Sequence, residues 1–348
     1  MESGKKKAIA IAVAAVILIA AAAAVVMLMK AREEQQKAAG TVDTIYVAHQ
    51  PDRLDYMEGE EFDPAGTVIN ANMKDGSVKE NVPYEVKCAS PLTYSGYSVT
   101  FTYEDKSVSI QLNITKRGNA AEYSVEQTPE NADSPLKGKT YFFLGSSVTR
   151  GERSEGESMV DFVAKRNACQ CIKEAVSGTT LMDNGETSYV QRLDAYLAGG
   201  NRAEHLDAFI CQLSTNDIKY PNSFGEVTGA DRRSAEDFDR ATTCGAMEYI
   251  IVKARETWDC PVVFYTNSDF HNENYETMLA LLDQVEEKWG IEVIDLYRDE
   301  AFNDISDEDK DLYMSDTTHP TKAGYRDWWT PKFEEKLASL STKAVDLQ

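Results

Sequence analysis

Hydrophobic and polar positions divide this chain into three textures. From Ala8 to Met29 it reads AIAIAVAAVILIAAAAAVVMLM, with no charged or polar side chain. As a helix rising about 1.5 Å per residue, that run covers roughly 30 Å, the thickness of a bilayer's hydrocarbon core. The apolar part of a cleavable signal sequence runs to roughly 7–15 residues, so this longer run predicts an uncleaved transmembrane anchor over residues 8–29. The lysines of the basic segment 1–7 place the amino terminus in the cytoplasm and the rest of the chain outside. A polar, alanine-rich stalk follows at 30–42.

Residues 43–116 change period. Short alternating runs rich in Val, Thr and Tyr are broken by Pro64-Ala65-Gly66, Lys74-Asp75-Gly76 and Tyr94-Ser95-Gly96, the pattern of a small antiparallel sandwich. Residues 117–136 carry two prolines and no periodicity, and read as a linker.

The third texture, residues 137–340, alternates apolar runs with helical ones. TYFFLG (140–145), CIKEAV (171–176), LDAFICQL (206–213), CPVVFYT (260–266) and IEVIDLY (291–297) read as strands. Between them, Met247, Ile250, Ile251, Ala254 and Trp258 share one helical face, as do Tyr275, Met278, Leu279, Leu282, Val285 and Trp289. Five such strands with intervening helices predict an α/β unit with a parallel five-stranded sheet covered on both faces. Residues 341–348 are left as a tail.

Composition removes some classes of function. The chain has 58 acidic against 36 basic residues and a formal net charge of -22, which repels nucleic-acid phosphates. The six cysteines are too irregularly spaced for a disulfide framework, and Cys169-Gln-Cys171 lacks the spacing of zinc or redox pairs. The four histidines form no metal-binding pattern, so neither metal nor cofactor is expected.

In parallel sheets, function gathers in the loops after the strands' carboxyl ends. Those loops hold Gly145-Ser146-Ser147-Val148-Thr149, Ser177-Gly178-Thr179-Thr180, Ser214-Thr215-Asn216-Asp217 and Asp316-Thr317-Thr318-His319-Pro320. A serine hydroxyl attacks an ester carbonyl only when an imidazole takes its proton, and imidazole ordinarily titrates near neutrality. His319 can serve as that base for Ser147. Asp316, three residues earlier, can accept the other ring N–H and fix the tautomer. The backbone N–H groups of Ser147 and Gly178 and the side-chain amide of Asn216 are candidate oxyanion donors.

With these four blocks in order, residues 137–340 resemble the SGNH hydrolases, also called the GDSL esterases and lipases. The resemblance implies a flavodoxin-like three-layer fold and metal-free hydrolysis of carboxylic esters through an acyl-serine. It implies Ser147 as nucleophile, Asp316 and His319 completing the triad, and Ser147, Gly178 and Asn216 as the oxyanion hole. Two positions depart from the family's pattern: Ser146 stands where an Asp normally precedes the nucleophile, and Ser214 where a Gly opens the third block. Residues 43–116, through Tyr56, Gly59-Glu60, Phe62-Asp63, Gly66, Asp75-Gly76 and the run ending at Ile114, resemble the bacterial immunoglobulin-like domains of Gram-positive surface proteins. That resemblance implies a spacer, or a module that touches the cell wall.

The expectation is therefore a membrane-anchored extracytoplasmic serine esterase of a bacterial cell surface that deacetylates carbohydrate. A lipase or lysophospholipase acting on longer chains, and a catalytically weakened surface binding or adhesion protein, are the alternatives. Arg150 and Arg153 flank the nucleophile and could hold an anionic group or pair with Glu152, Glu155 and Glu157. His271 is read as a solvated loop residue, Trp328 and Trp329 as core or rim residues, and the polar insertion Tyr220–Arg240 as a candidate lid.

Overall fold

The structure, a computed structural model, describes the backbone of residues 2–345 and side chains over residues 13–340. Residue 1 of the predicted basic segment and residues 346–348 of the predicted tail lie outside the described residues. Helix α1 (Glu2–Ala39) contains the apolar run and continues through most of the predicted stalk, whose alanine, glutamate, glutamine and lysine residues are strong helix formers. From Val13 onward it is long and apolar enough to cross a membrane, with a mean hydropathy of 2.5 over its most apolar stretch. Beyond it the chain forms two compact units that meet in sequence at Thr115 and Lys116.

The first unit is all-β. Strands β1 (Val42–His49), β3 (Val68–Met73) and β4 (Val78–Lys79) form one antiparallel sheet, and β5 (Glu85–Lys87), β6 (Ser98–Tyr103) and β7 (Lys106–Gln111) form another. A short parallel pair, β2 (Asp55–Met57) and β8 (Asn113–Thr115), forms a separate two-stranded sheet. Alternate residues point inward, so Ile69, Ala71, Val99 and Phe101 meet in one core with Tyr56 and Leu112.

The second unit is a three-layer α/β domain. Strands β9 (Thr140–Gly145), β10 (Gln170–Ala175), β11 (Ala208–Gln212), β12 (Val262–Tyr265) and β13 (Glu292–Ile294) pair in parallel in the order β10-β9-β11-β12-β13. The strands read as unbroken apolar runs because both faces are buried. Phe142, Leu144, Phe209 and Phe264 pack under helices α4 (Tyr189–Ala198), α5 (Thr243–Trp258) and α6 (Glu273–Trp289). Tyr141, Phe143, Ile210 and Tyr265 pack under α3 (Met159–Asn167) and α9 (Thr330–Val345). The two interior helical faces read in the sequence are those of α5 and α6. Thr242 and Asn272 cap their amino ends by accepting the N–H groups of Gly245 and Tyr275, and Asp259 and Gly290 close them in left-handed conformations.

Residues 116–136 belong to this unit. Lys116 Nζ lies 2.6 Å from Asp311 Oδ1, Ser134 Oγ donates to Asn167 Oδ1 at 2.6 Å, and Leu136 is fully buried. The segment lacks periodicity because its contacts are made singly, not along one face of a repeating element.

The insertion Tyr220–Arg240 is likewise fastened down. Phe224 and Phe238 are buried, and Glu248, wholly buried on α5, accepts the Thr228 N–H at 3.0 Å and the Thr228 hydroxyl at 3.1 Å. The same carboxylate accepts from Lys288 Nζ at 2.5 Å and Trp289 Nε1 at 3.1 Å. Removing one partner of a buried pair strands the other, which costs about 3–5 kcal/mol. Glu248→Ala is expected to lower the unfolding free energy measured in urea by that amount, and a midpoint within error of the wild type would refute this anchoring role.

Candidate active site

Because all five strands are parallel, the loops after β9, β10 and β11 open on one edge. Strand β9 lies between β10 and β11, so the chain departs in opposite directions on either side of it, which is where ligands bind in such sheets. Ser147 begins the short helix α2 (Ser147–Arg150) directly after β9. Its hydroxyl is 2.8 Å from His319 Nε2, and His319 Nδ1 is 2.9 Å from both oxygens of Asp316. The structure thus joins Ser147, His319 and Asp316 into one continuous hydrogen-bonded relay.

The acid and base share a small closed loop. Met314 and Pro320 pair as an isolated bridge, and the Ser315 N–H donates to the His319 carbonyl at 2.9 Å. Inside it, Asp316 Oδ1 also accepts the backbone N–H groups of Thr318 at 2.9 Å and His319 at 2.8 Å. Burial opposes ionisation of Asp316, but the hydrogen bonds from the His319 ring and the Thr318 N–H outweigh it, holding the carboxyl down to about 2. An ionised Asp316 is what the relay requires, since its oxygens must accept.

Gly178 and Asn216 sit on the two flanking loops. Gly178 holds φ at +79°, a conformation that a side chain would strain. Among the described residues, neither its N–H nor that of Ser147 has a hydrogen-bond partner. Asn216 Nδ2 donates one proton to the Thr179 carbonyl at 3.0 Å, which ties the second loop to the third and leaves the other proton free.

The two departures from the family pattern have local roles. Ser214 Oγ accepts the Asn216 N–H at 3.0 Å and donates to the Thr179 carbonyl at 3.3 Å, so it holds the Asn216 loop from within. Ser146 is wholly buried, and its N–H donates to Gln212 Oε1 at 2.8 Å. The same amide oxygen accepts the Thr149 hydroxyl at 2.8 Å and the Tyr189 hydroxyl at 3.3 Å. A neutral amide thus braces the nucleophile turn from below.

Gln212, Arg192 and Asp217 are site-supporting residues that sequence reasoning passed over. Arg192 Nη2 donates to the Gly145 carbonyl at 2.7 Å and Nη1 to the Glu174 carbonyl at 2.8 Å, clamping the ends of β9 and β10. Asp217 accepts the Leu181 N–H at 2.8 Å and the Thr243 hydroxyl at 3.1 Å, while burial raises its carboxyl. Asp217 is visible in the third block, but Gln212 ends an apolar strand and Arg192 looks like an ordinary surface cation of a helix.

Arg153 does not pair with the nearby glutamates. Its Nε lies 3.7 Å from Asp316 Oδ2, whereas Arg150 lies 3.6 Å from Glu152. His271 is exposed and pairs with Asp269 at 3.0 Å. Both line, with Phe270, Met314, Trp328 and Asp316, a cavity of about 180 Å³ beside the relay.

The profile of the GDSL-like lipase/acylhydrolase family matches residues 143–326, more than half of the chain. The chain belongs to the GDSL-like lipase/acylhydrolase family. As a GDSL-like acylhydrolase it is an ester hydrolase, and the matched residues include the whole Ser147–His319–Asp316 relay. A search of curated proteins gave no match. Among solved structures, a protein from Lactobacillus plantarum is 20% identical with a TM-score of 0.47, aligned over 59% of this chain and 98% of its own. A member of the lipolytic G-D-S-L family from Veillonella parvula is 16% identical with a TM-score of 0.41, over 57% and 97%. A variant of an acetyl-xylooligosaccharide esterase from Geobacillus Stearmophilus is 14% identical with a TM-score of 0.40, over 58% and 94%.

Proposed function

We propose that this GDSL-like acylhydrolase is a membrane-anchored serine esterase that removes small acyl groups, acetyl above all, from carbohydrate outside the cytoplasm. The observation that carries the reading is the relay from Ser147 through His319 to Asp316 at 2.8 and 2.9 Å. Ser147 Oγ attacks the ester carbonyl as His319 Nε2 takes its proton, and the imidazolium that forms is stabilised by ionised Asp316. The tetrahedral oxyanion receives the N–H groups of Ser147 and Gly178 and the free amide proton of Asn216. Collapse breaks the ester C–O bond while His319 returns the proton to the departing alcohol. Water, deprotonated by the same imidazole, then releases the acid from the acyl-serine.

The small acyl group is supported by the sequence around the four blocks, which carries no long apolar segment to hold an extended acyl chain. The length and apolarity of α1 support an anchor, and the lysines before it support an outward catalytic unit. For the all-β unit we propose an immunoglobulin-like spacer or cell-wall contact, on the strength of its turn residues and antiparallel sheets. With nitrophenyl esters and acetylated glycans as substrates, the acetyl ester is expected to be turned over fastest, with kcat/KM falling steeply beyond about four carbons. Preference for chains of eight carbons or more would replace this reading with a lipase or lysophospholipase. Failure of a fluorophosphonate to label the protein would leave a surface binding protein.

A further inference from the structure

Upstream of the family match, residues 116–125 run as a strap across both halves of the site. The turn that follows α2 is tied directly to the nucleophile, because the N–H groups of Gly151 and Glu152 both donate to the Ser147 carbonyl at 3.0 Å. Arg153 is the next residue. Its carbonyl accepts Asn119 Nδ2 at 2.7 Å and the Ser315 hydroxyl at 3.2 Å, while its guanidinium lies 3.7 Å from Asp316. On the other side, Asn119 Oδ1 accepts the backbone N–H of Lys322 at 2.9 Å, three residues past His319. One carboxamide therefore joins the nucleophile's turn to the far end of the loop that carries the base.

The strap is fitted closely at this point. A side chain on Gly118 would place its first carbon 1.9 Å from the Leu312 carbonyl and 2.4 Å from the Thr321 hydroxyl, so only glycine lets the backbone approach. Further along, the Val125 N–H donates to Glu157 Oε2 at 2.9 Å and the Arg326 guanidinium donates to the Glu122 carbonyl at 2.8 Å. Internal bonds close the Asp316–His319 loop on itself, so its distance from Ser147 depends on ties of this kind between the two sides.

We propose that Asn119 is a positioning residue for the hydrolytic reaction, setting the separation of Ser147 and His319 without touching substrate; the inference rests on the esterase reading above. A misplacement on the order of 1 Å at a reacting centre can cost roughly a hundredfold in rate, and Asn119→Ala removes the tie to each side, leaving the Ser315 hydroxyl on the Arg153 carbonyl and Lys322 Nζ on Glu155 Oε2 at 2.6 Å.

The full chain is assayed as wild type, Asn119→Ala, Asn119→Asp and Thr128→Ala, by nitrophenyl acetate kinetics and by the rate of fluorophosphonate labelling. Thr128, just past the strap, serves as the control because its hydroxyl donates to the Ser124 carbonyl at 2.9 Å and, among the described residues, to neither side of the site. Asn119→Ala is expected to lower kcat and the labelling rate by roughly 10- to 100-fold, with KM within about twofold and the acid limb of the kcat profile displaced. Asn119→Asp keeps the acceptor for Lys322 and falls between it and the wild type. Thr128→Ala lowers Tm by roughly 2–4 °C and leaves kcat within about twofold. Wild-type kcat in Asn119→Ala, or a loss that only follows the folded fraction as in Thr128→Ala, overturns the proposal; if Asn119→Ala does not fold, Asn119→Asp is judged by the same criteria. A wild type that the phosphonate fails to label sinks the esterase reading itself, whereas equal labelling of wild type and Asn119→Ala sinks the positioning role alone.

Discussion

Ser147→Ala is expected to lower kcat toward acetyl esters by roughly five to six orders of magnitude, the loss typical of removing a nucleophile from a triad that acts as a unit. The fold should be unaffected. Ser147 Oγ bonds to His319 Nε2 alone among the described side chains, and its backbone role at the start of α2 survives the substitution. Residual rate over water would come from the oxyanion donors, which do not need the hydroxyl. Kinetics on purified variant, paired with a thermal melt, check both halves: retention of more than about a thousandth of the rate would mean that another group attacks.

Asp316→Asn is expected to cost about four orders of magnitude in kcat. The replacement presents an amide where His319 Nδ1 and two backbone N–H groups now find acceptors. Its N–H₂ can force the imidazole into the tautomer that places a proton on Nε2, facing Ser147, and the ring then cannot act as base. The pH dependence carries a sign. The Asp316 carboxyl is depressed from 3.8 to about 2, so the folded state favours its ionised form. The associated stabilisation is fully present above pH 3.8 and is lost as pH falls through about 2. Across pH 4–8 Asp316 stays ionised, and activity changes in that window come from other groups. A stability midpoint attributable to Asp316 above pH 4, absent in Asp316→Asn, would contradict this.

Much of the α/β unit was legible because each strand is buried on both faces, which turns its sequence into an apolar run with no alternation. Phe142 and Phe143 face opposite layers, and the run TYFFLG carries both. Helices α5 and α6 announced themselves through one-sided periodicity. Ser147, Asp316 and His319 could be read because their chemistry leaves few residue types to choose from and their loops follow strand ends. Gln212, Arg192 and Asn119 were illegible for the opposite reason. Each acts through contacts distant in sequence, reaching across 66, 47 and 203 residues respectively, and no local pattern records partners so distant. The insertion at 220–240 misled for a related cause: its polar composition hides the two phenylalanines and the Glu248–Lys288 pair that hold it in place.

The burial of Leu136 and the bonds of Lys116 and Ser134 bear on how this protein can be taken apart. A recombinant fragment cut where β9 begins, at Thr140, or at the edge of the family match would expose a hole in the layer under α3, take the Ser134 donor from Asn167 Oδ1 and take Lys116 from Asp311. The shortest stable catalytic fragment is expected to begin at Lys116, where the second unit starts, and a protease acting on the native chain should find its first productive cut on the amino-terminal side of that lysine.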